Sequence, residues 1–198
     1  EDNYIIEGND YSDDDIIKSI IGDLPQEDDK AILNYILKEL VNSNLFESVE
    51  VSSDNNYFYI KVIEYPSVKN IFFENNKRLK DDEIELIVED LKITNLSDKN
   101  IDELIREISK IYKSFGYNNI EIKKNIILYD NNSGDLYLKF FEGNITKIKN
   151  INILGNDNFD KNILLSKVKS KTKKLSNIFA NNNFKLFQIQ NDTIRLIK

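Results

Sequence analysis

One pattern is written into this chain more than once, and that repetition limits the fold more than any composition figure. Leu33, Leu37, Leu40 and Val41 recur 71 residues on as Leu104, Ile108, Ile111 and Tyr112. The same shift carries Phe46 onto Tyr117, Val49 onto Ile120, Glu50 onto Glu121 and Val51 onto Ile122. Further along, Tyr59-Ile60-Lys61-Val62-Ile63-Glu64 matches Tyr137-Leu138-Lys139-Phe140-Phe141-Glu142 at a shift of 78, because the second hairpin is longer. A repeated unit can be smaller than an ordinary domain, so 198 residues need not fold as one core.

The most complete copy runs from Val68 to Gly143. Ile71-Phe72-Phe73 reads as a strand entering a turn at Asn75-Asn76, and two amphipathic helical patterns follow. After Gly116-Tyr117 come a second strand (Ile120 to Tyr129), a turn at Asn131-Asn132-Ser133-Gly134 and a third strand (Leu136 to Phe141). The order is β-α-α-β-β.

The first copy reads the same way. Tyr4-Ile5-Ile6 ends in Gly8-Asn9, a pair that tolerates positive φ. Ser12 precedes Asp13-Asp14-Asp15 and the run Ile16, Ile17, Ile20, Ile21, which predicts an N-cap with acidic residues where the helix dipole favours them. The Asp cluster lacks the Gly and Glu spacing of a calcium loop. Gly22 and Pro25 end that helix. Leu33, Ile36, Leu37, Leu40 and Val41 stripe a second helix from about Asp28 to Ser43, with Asn44 as a left-handed stop. Phe46 to Val51 and Tyr57 to Ile63 then alternate as strands about a turn at Asp54-Asn55-Asn56, with Phe58, Ile60 and Val62 on one face. The two helices can cover that face. A third opening follows. Ile148 to Gly155-Asn156 repeats the first strand, Ile163, Leu164 and Val168 mark a helix, and Phe184 to Lys198 starts a second one. The last two strands of that unit are missing, which predicts a piece of a longer chain.

Composition excludes much chemistry. With no Cys there is no disulfide framework, and with no His the usual neutral-pH base and commonest metal ligand are absent. No phosphate-cradling loop, nucleophile elbow or metal-ligand cluster appears, so no catalytic residue, metal or cofactor is expected. Asp81-Asp82-Glu83 and Asp13-Asp14-Asp15 fall at helix starts, where solvated caps account for them. No apolar run reaches the roughly 20 residues that span a bilayer. Residues 144–198 hold 11 Lys and Arg against 3 Asp and Glu, leaving 16 against 31 in residues 1–143. A basic end on an acidic chain fits either a solvated lysine face or an anionic partner.

These features together resemble tandem POTRA modules, the polypeptide-transport-associated repeats of BamA-like outer-membrane assembly factors. The likeness rests on the strand-plus-Gly-Asn openings (Tyr4 to Asn9, Ile151 to Asn156), Phe46-Glu47-Ser48-Val49 after the second helix, Gly116-Tyr117 in the equivalent place, and the closers Glu64-Tyr65-Pro66 and Glu142-Gly143. Asn75 and Asn44 stand where the family usually has Gly, and Asn also tolerates the left-handed region. The expected fold is α+β: tandem β-α-α-β-β modules, each a three-stranded mixed sheet covered on one face by two helices. The expected boundaries are 1–66, 67–143 and an incomplete 144–198.

The resemblance implies the periplasmic part of an outer-membrane protein, a C-terminal β-barrel outside this chain, accessory lipoprotein partners, and unfolded outer-membrane proteins as clients. It implies scaffolding and chaperoning, not catalysis, and puts the second strand of each module at a sheet edge. An open edge offers unpaired N–H and C=O groups to any extended peptide. Val49 and Val51 on the first such strand, and Ile120, Ile122 and Ile126 on the second, are the candidate peptide-binding positions, although Lys123 and Lys124 also suit a protected edge. The short linkers Tyr65-Pro66 and Gly143-Asn144 are candidate inter-module hinges, stiffened by Pro66. The basic 161–174 segment is a candidate site for lipid head groups. The alternatives are a related transporter or organelle import channel, or a nucleic-acid or lipid binder using the Lys167 to Lys174 run with Phe179, Phe184 and Phe187. The acidic front half opposes nucleic acid.

Overall fold

The computed structural model describes residues 3–26, 28–55, 57–155, 158–172 and 181–197. Asn56, Asn156, Lys174, Phe179 and Lys198, named above, lie outside them. The elements run β1 (Asn3–Glu7), α1 (Asp14–Ile21), α2 (Asp29–Asn42), β2 (Phe46–Asp54), β3 (Tyr57–Glu64), β4 (Ser67–Glu74), α3 (Asp81–Asp90), α4 (Asp98–Ser114), β5 (Glu121–Tyr129), β6 (Ser133–Phe141), α5 (Lys161–Lys167) and α6 (Leu186–Ile197). The strands form two three-stranded sheets, ordered β1-β3-β2 and β4-β6-β5. The fold is therefore α+β, with β-α-α-β-β order carried through twice.

In the first sheet β1 pairs with β3 in parallel, placing Tyr4 beside Phe58 and Ile6 beside Ile60. β2 pairs with β3 antiparallel, placing Val49 beside Val62 and Val51 beside Ile60. Period-two alternation turns Phe58, Ile60 and Val62 to one face. Ile60 and Val62 join Ile17 and Ile21 of α1 and Ile36 and Leu40 of α2 in one buried cluster with Phe46. Each such fully buried aliphatic side chain contributes about 1.5–3 kcal/mol, so this cluster outweighs any single polar contact nearby.

α2 begins at Asp28, whose Oδ1 accepts the Ala31 N–H at 2.9 Å, and is followed by Asn44 at φ 57°. α1 departs from expectation. Its N-cap is Asp13, which makes no side-chain cap bond, while the carbonyl of Ser12 accepts from Asn9 Nδ2 at 2.9 Å. The apolar stripe of α2 is also narrower than its spacing predicts. Ile36 and Leu40 are fully buried, but Leu37 and Val41 are 37% and 55% exposed. Each lies one residue, about 100°, round the helix from a buried neighbour, so a single covered face excludes it.

The second sheet belongs to a repeat whose buried residues include Ile84 of α3, Ile101, Leu104, Ile108 and Tyr112 of α4, and Leu136, Leu138 and Phe140 of β6. Tyr112 and Phe140 ring centroids lie 5.8 Å apart. β5 begins one residue after Ile120, and Ser133 and Gly134, expected in the turn, belong to β6.

In the remaining segment, α5 is capped by Asp160, whose Oδ1 accepts from Asn162 N at 2.7 Å. The strand expected from Ile148 does not form among the described residues. Among the described residues β1 of the first sheet has β3 as its only neighbour. Residues 148–155 have no counterpart of β3 among the described residues, and an extended segment without a ladder partner gains no strand hydrogen bonds. By contacts the chain divides into one unit of Glu1–Phe72, Leu91–Glu103 and Asn125–Tyr137, and another of Phe73–Asp90, Leu104–Lys124 and Leu138–Lys198.

Candidate functional site

Among the described residues β2 and β5 each have a neighbour on one side only. These are the strands that carry Val49 and Val51, and Ile122 and Ile126, with Ile120 one position ahead of β5. All five side chains are half-buried, and Val49 and Val51 pack against the first core. A strand laid along either edge would therefore meet the main chain of these residues and the side chains of the positions between them.

Those intervening positions differ in charge. On β2 they include exposed Glu47, Glu50 and Asp54, and a register shift between Phe46 and Ser48 marks a bulge at its start. Bulges at an edge discourage full-length pairing. On β5 they include Lys123 and Lys124, both exposed. Lys123 reaches Glu121 at 3.6 Å and sits 5.2 Å from the Phe141 ring centroid. Beyond them Ile127, Leu128 and Tyr129 are 45%, 61% and 39% exposed. Three apolar residues in a row at a strand end were the signal that sequence reasoning left unused.

β6 also carries a polar knot. Asp135 is buried, accepts Tyr129 OH at 2.6 Å and accepts Asn70 Nδ2 at 2.8 Å. The Tyr129 hydrogen bond, aided by Asn70 and Lys69, holds the Asp135 carboxyl below the usual carboxylate range. The same bond pushes the Tyr129 hydroxyl up.

Two corners repeat atom for atom. Asn9 Nδ2 donates to Ser12 O at 2.9 Å and Asp14 Oδ1 at 2.8 Å, and Asn76 Nδ2 donates to Leu79 O at 3.0 Å and Asp81 Oδ1 at 2.7 Å. Gly8 and Asn75 before them both have positive φ, 85° and 67°. The closing glutamates act alike as well. Glu64 Oε2 accepts Tyr11 N–H at 2.8 Å, and Glu142 Oε1 accepts Arg78 N–H at 2.7 Å. Glu142 also takes Tyr112 OH at 2.7 Å. Burial first, and this bond second, push the Tyr112 hydroxyl well above its ordinary value.

The linkers form a second recurring geometry, each instance inside one compact unit. Val68 N–H donates to Thr94 O at 3.0 Å and Leu96 N–H to Pro66 O at 2.8 Å. In the later copy Ile148 N–H donates to Asn182 O and Phe184 N–H to Thr146 O, both at 2.7 Å. Each pair brackets a single antiparallel bridge, Ser67 with Asn95 and Lys147 with Asn183. The loop between two helices is thereby stitched to the residues just past the preceding β-β hairpin. An Asn then ties it to the end of an earlier helix: Asn95 Nδ2 to Asn44 O at 2.7 Å, and Asn183 Nδ2 to Phe115 O at 3.3 Å. Of the candidate hinges, Tyr65 N–H is bonded to Leu45 O at 3.0 Å, whereas Gly143, at φ 66°, and Asn144 are exposed. Sequence reasoning missed this stitching because its partners lie far apart in the chain.

Among the described residues no group of three acidic, His or Cys side chains could hold a metal ion. Among them too, no helix is long and apolar enough to cross a membrane. Residues 67–143 match the family described as POTRA domain, ShlB-type. The N-terminal domain of Omp85 from Thermosynechococcus elongatus has a similar fold, with a TM-score of 0.50 at 13% identity over 99% of this chain and 83% of that one. POTRA3-5 of Haemophilus influenzae BamA gives a TM-score of 0.48 at 13% identity over 98% and 83%. POTRA1-3 of Anabaena Omp85 gives 0.48 at 16% identity over 98% and 82%.

Proposed function

From residues 67–143 as a POTRA domain, within a chain of tandem POTRA fold, we propose the periplasmic region of an outer-membrane assembly factor that receives unfolded barrel proteins. In this reading 1–66, 67–143 and 144–198 are successive modules, and the chain is a scaffold, not an enzyme. The observation that carries it is the one-sided pairing of β2 and β5. A client strand adds to these edges through main-chain bonds worth about 1 kcal/mol each net, so contacts form and release readily. Main-chain pairing is indifferent to client sequence, as a receiver of many clients requires. Accessory lipoproteins dock on the same scaffold, the chain's own barrel lies outside these residues, and the basic 161–174 segment meets lipid head groups.

The test is titration of the full chain with an unfolded barrel-strand peptide. Adjacent residues of a strand send their N–H groups to opposite sides. Proline at Ile122 and, separately, at Lys123 therefore samples both sides of β5. One of the two weakens peptide binding while the circular dichroism spectrum is kept. Unchanged affinity in both, with the fold intact, removes β5 as a site. A transporter is the second reading, favoured by the ShlB-type description of the match. Crosslinking of one dedicated secreted partner, with indifference to barrel-strand peptides, would select it.

A further inference from the structure

Two cavities, of about 460 and 230 Å³, share Tyr11, Glu64 and Asn132 in their walls. The larger adds Asp10, Lys61, Tyr129 and Asp130, and the smaller adds Tyr65 and Asn95. All of these residues belong to one compact unit. Glu64 is 9% exposed, whereas Asp10, Tyr11 and Asp130 are exposed. Glu64 Oε2 accepts the Tyr11 N–H at 2.8 Å. Among the described residues nothing donates to its Oε1. A carboxylate has room for about four donors, and burial makes the unmet places costly. The second repeat meets the same need from within. Glu142, 78 residues on, accepts both Arg78 N–H and Tyr112 OH, each at 2.7 Å. Tyr112 stands 71 residues past Val41, which carries no side-chain donor. The first repeat therefore holds a buried carboxylate with one donor where its counterpart has two.

We propose that this cleft binds the guanidinium of an arginine side chain presented by a partner protein. Its charge calls for a cation. Asp10, Glu64 and Asp130 stand against Lys61, and in the sheet register Lys61 lies between Glu7 and Glu50, so its own charge is flanked by two more carboxylates. Among the described residues no group of three acidic side chains could hold a metal ion. A guanidinium instead spreads one charge over five donors in a plane. Two of those donors can meet one carboxylate, and the plane can lie on an aromatic ring. Glu64 supplies the carboxylate. The Tyr129 ring already carries Lys69 Nζ at 4.7 Å from its centroid, which leaves Tyr11, 61% exposed, as the stacking face. A lysine ammonium is a more strongly hydrated point charge and suits such a site less. The inference depends neither on strand addition at β2 and β5 nor on the third repeat.

The probe is an acetylated and amidated Gly-Arg-Gly peptide, titrated into the full chain and followed by amide chemical shifts. Its lysine and citrulline analogues are the controls, citrulline keeping the shape and losing the charge. Saturable shifts at Tyr11 and Asn132 are expected with the arginine peptide, with affinity about tenfold weaker for lysine and no binding of citrulline. Glu64→Gln keeps an acceptor for the Tyr11 N–H and removes the charge, and is expected to weaken arginine binding about tenfold or more. Asp130→Asn, at an exposed residue, is expected to weaken it about twofold. Equal affinity for arginine and citrulline, or unchanged affinity in Glu64→Gln, would overturn the proposal. Saturable shifts confined to residues outside the cleft would overturn it too. So would the lack of any saturable shift, which would leave water as the partner of the Glu64 oxygen.

Discussion

Asn95 gives its side-chain N–H to the main-chain carbonyl of Asn44 at 2.7 Å, across 51 residues of sequence. Asn44 has φ 57°, and its own Nδ2 donates to Ser97 Oγ at 2.9 Å and Asn100 Oδ1 at 2.8 Å. Asn100 Nδ2 closes the ring on Asn95 Oδ1 at 2.8 Å, and Ser97 N–H reaches the same oxygen at 3.1 Å. Asn95 and Ser97 are buried, so these groups have exchanged water for one another. Asn95→Ala therefore strands the Asn44 carbonyl and the Ser97 N–H. It should lower unfolding free energy by about 1–3 kcal/mol, read by urea denaturation. Asn95→Asp keeps the shared acceptor but sets a second, charged oxygen against the Asn44 carbonyl in a buried place, and should cost at least as much. An unchanged midpoint for Asn95→Ala would mean that the ring contributes nothing to stability.

At the later linker the same place depends on the absence of a side chain. Gly116 has φ 100°, and a Cβ there would stand 3.1 Å from Ile145 Cγ2 and 3.2 Å from Asn183 Cβ. Its carbonyl accepts Thr146 N–H at 2.9 Å. Gly116→Ala adds both backbone strain and crowding and should cost about 1–3 kcal/mol. Hydrogen exchange should locate the loss, with faster exchange at Thr146 and Phe184 and little change in β2 and β3. Uniform change across the chain would place the effect elsewhere.

Local chemistry was readable in advance and long-range chemistry was not. The positive φ of Asn44 and Asn75 followed from residue type and position, and the facing of Phe58, Ile60 and Val62 from alternation. Val41 shows where periodicity stops helping: spacing admits it to the stripe of α2, but only the width of the covered face decides burial. Ile148 onward shows the same limit for strands, since alternation proposes a strand and a partner has to complete it. The edge placement of β2 and β5 came from the family likeness, because nothing in a strand's own residues says how many neighbours it has. The Asn44, Asn95, Ser97 and Asn100 ring had no signal beyond residue types common throughout this chain.

The contrast within α2 gives a graded test. Ile36 and Leu40 are fully buried among α1, β2 and β3, whereas Val41 is 55% exposed. Leu40→Ala leaves a cavity and should cost about 2–5 kcal/mol. Val41→Ala should stay within about 0.5 kcal/mol, as surface changes do. Thermal unfolding of the two variants checks both values. Comparable losses would mean that Val41 is covered in solution by something that packs on α2.

The Asp135 knot predicts how stability depends on pH. Its folded carboxyl lies below the unfolded value of about 3.9, because Tyr129 OH donates to it at 2.6 Å. A group depressed in this way contributes fully above the unfolded value, and the contribution is lost as pH falls through the folded one. Tyr129 is shifted the other way, its hydroxyl raised by the same bond. Its contribution is complete below the unfolded value of about 10 and is lost as pH rises through the folded one. The stability difference between the wild type and Tyr129→Phe should therefore be flat between about pH 5 and 9 and shrink on both sides. Asp135→Asn should remove the acid-side change. Urea midpoints across that range decide it, since a difference that grows toward acid would show that the bond does not stabilise the ionised carboxylate.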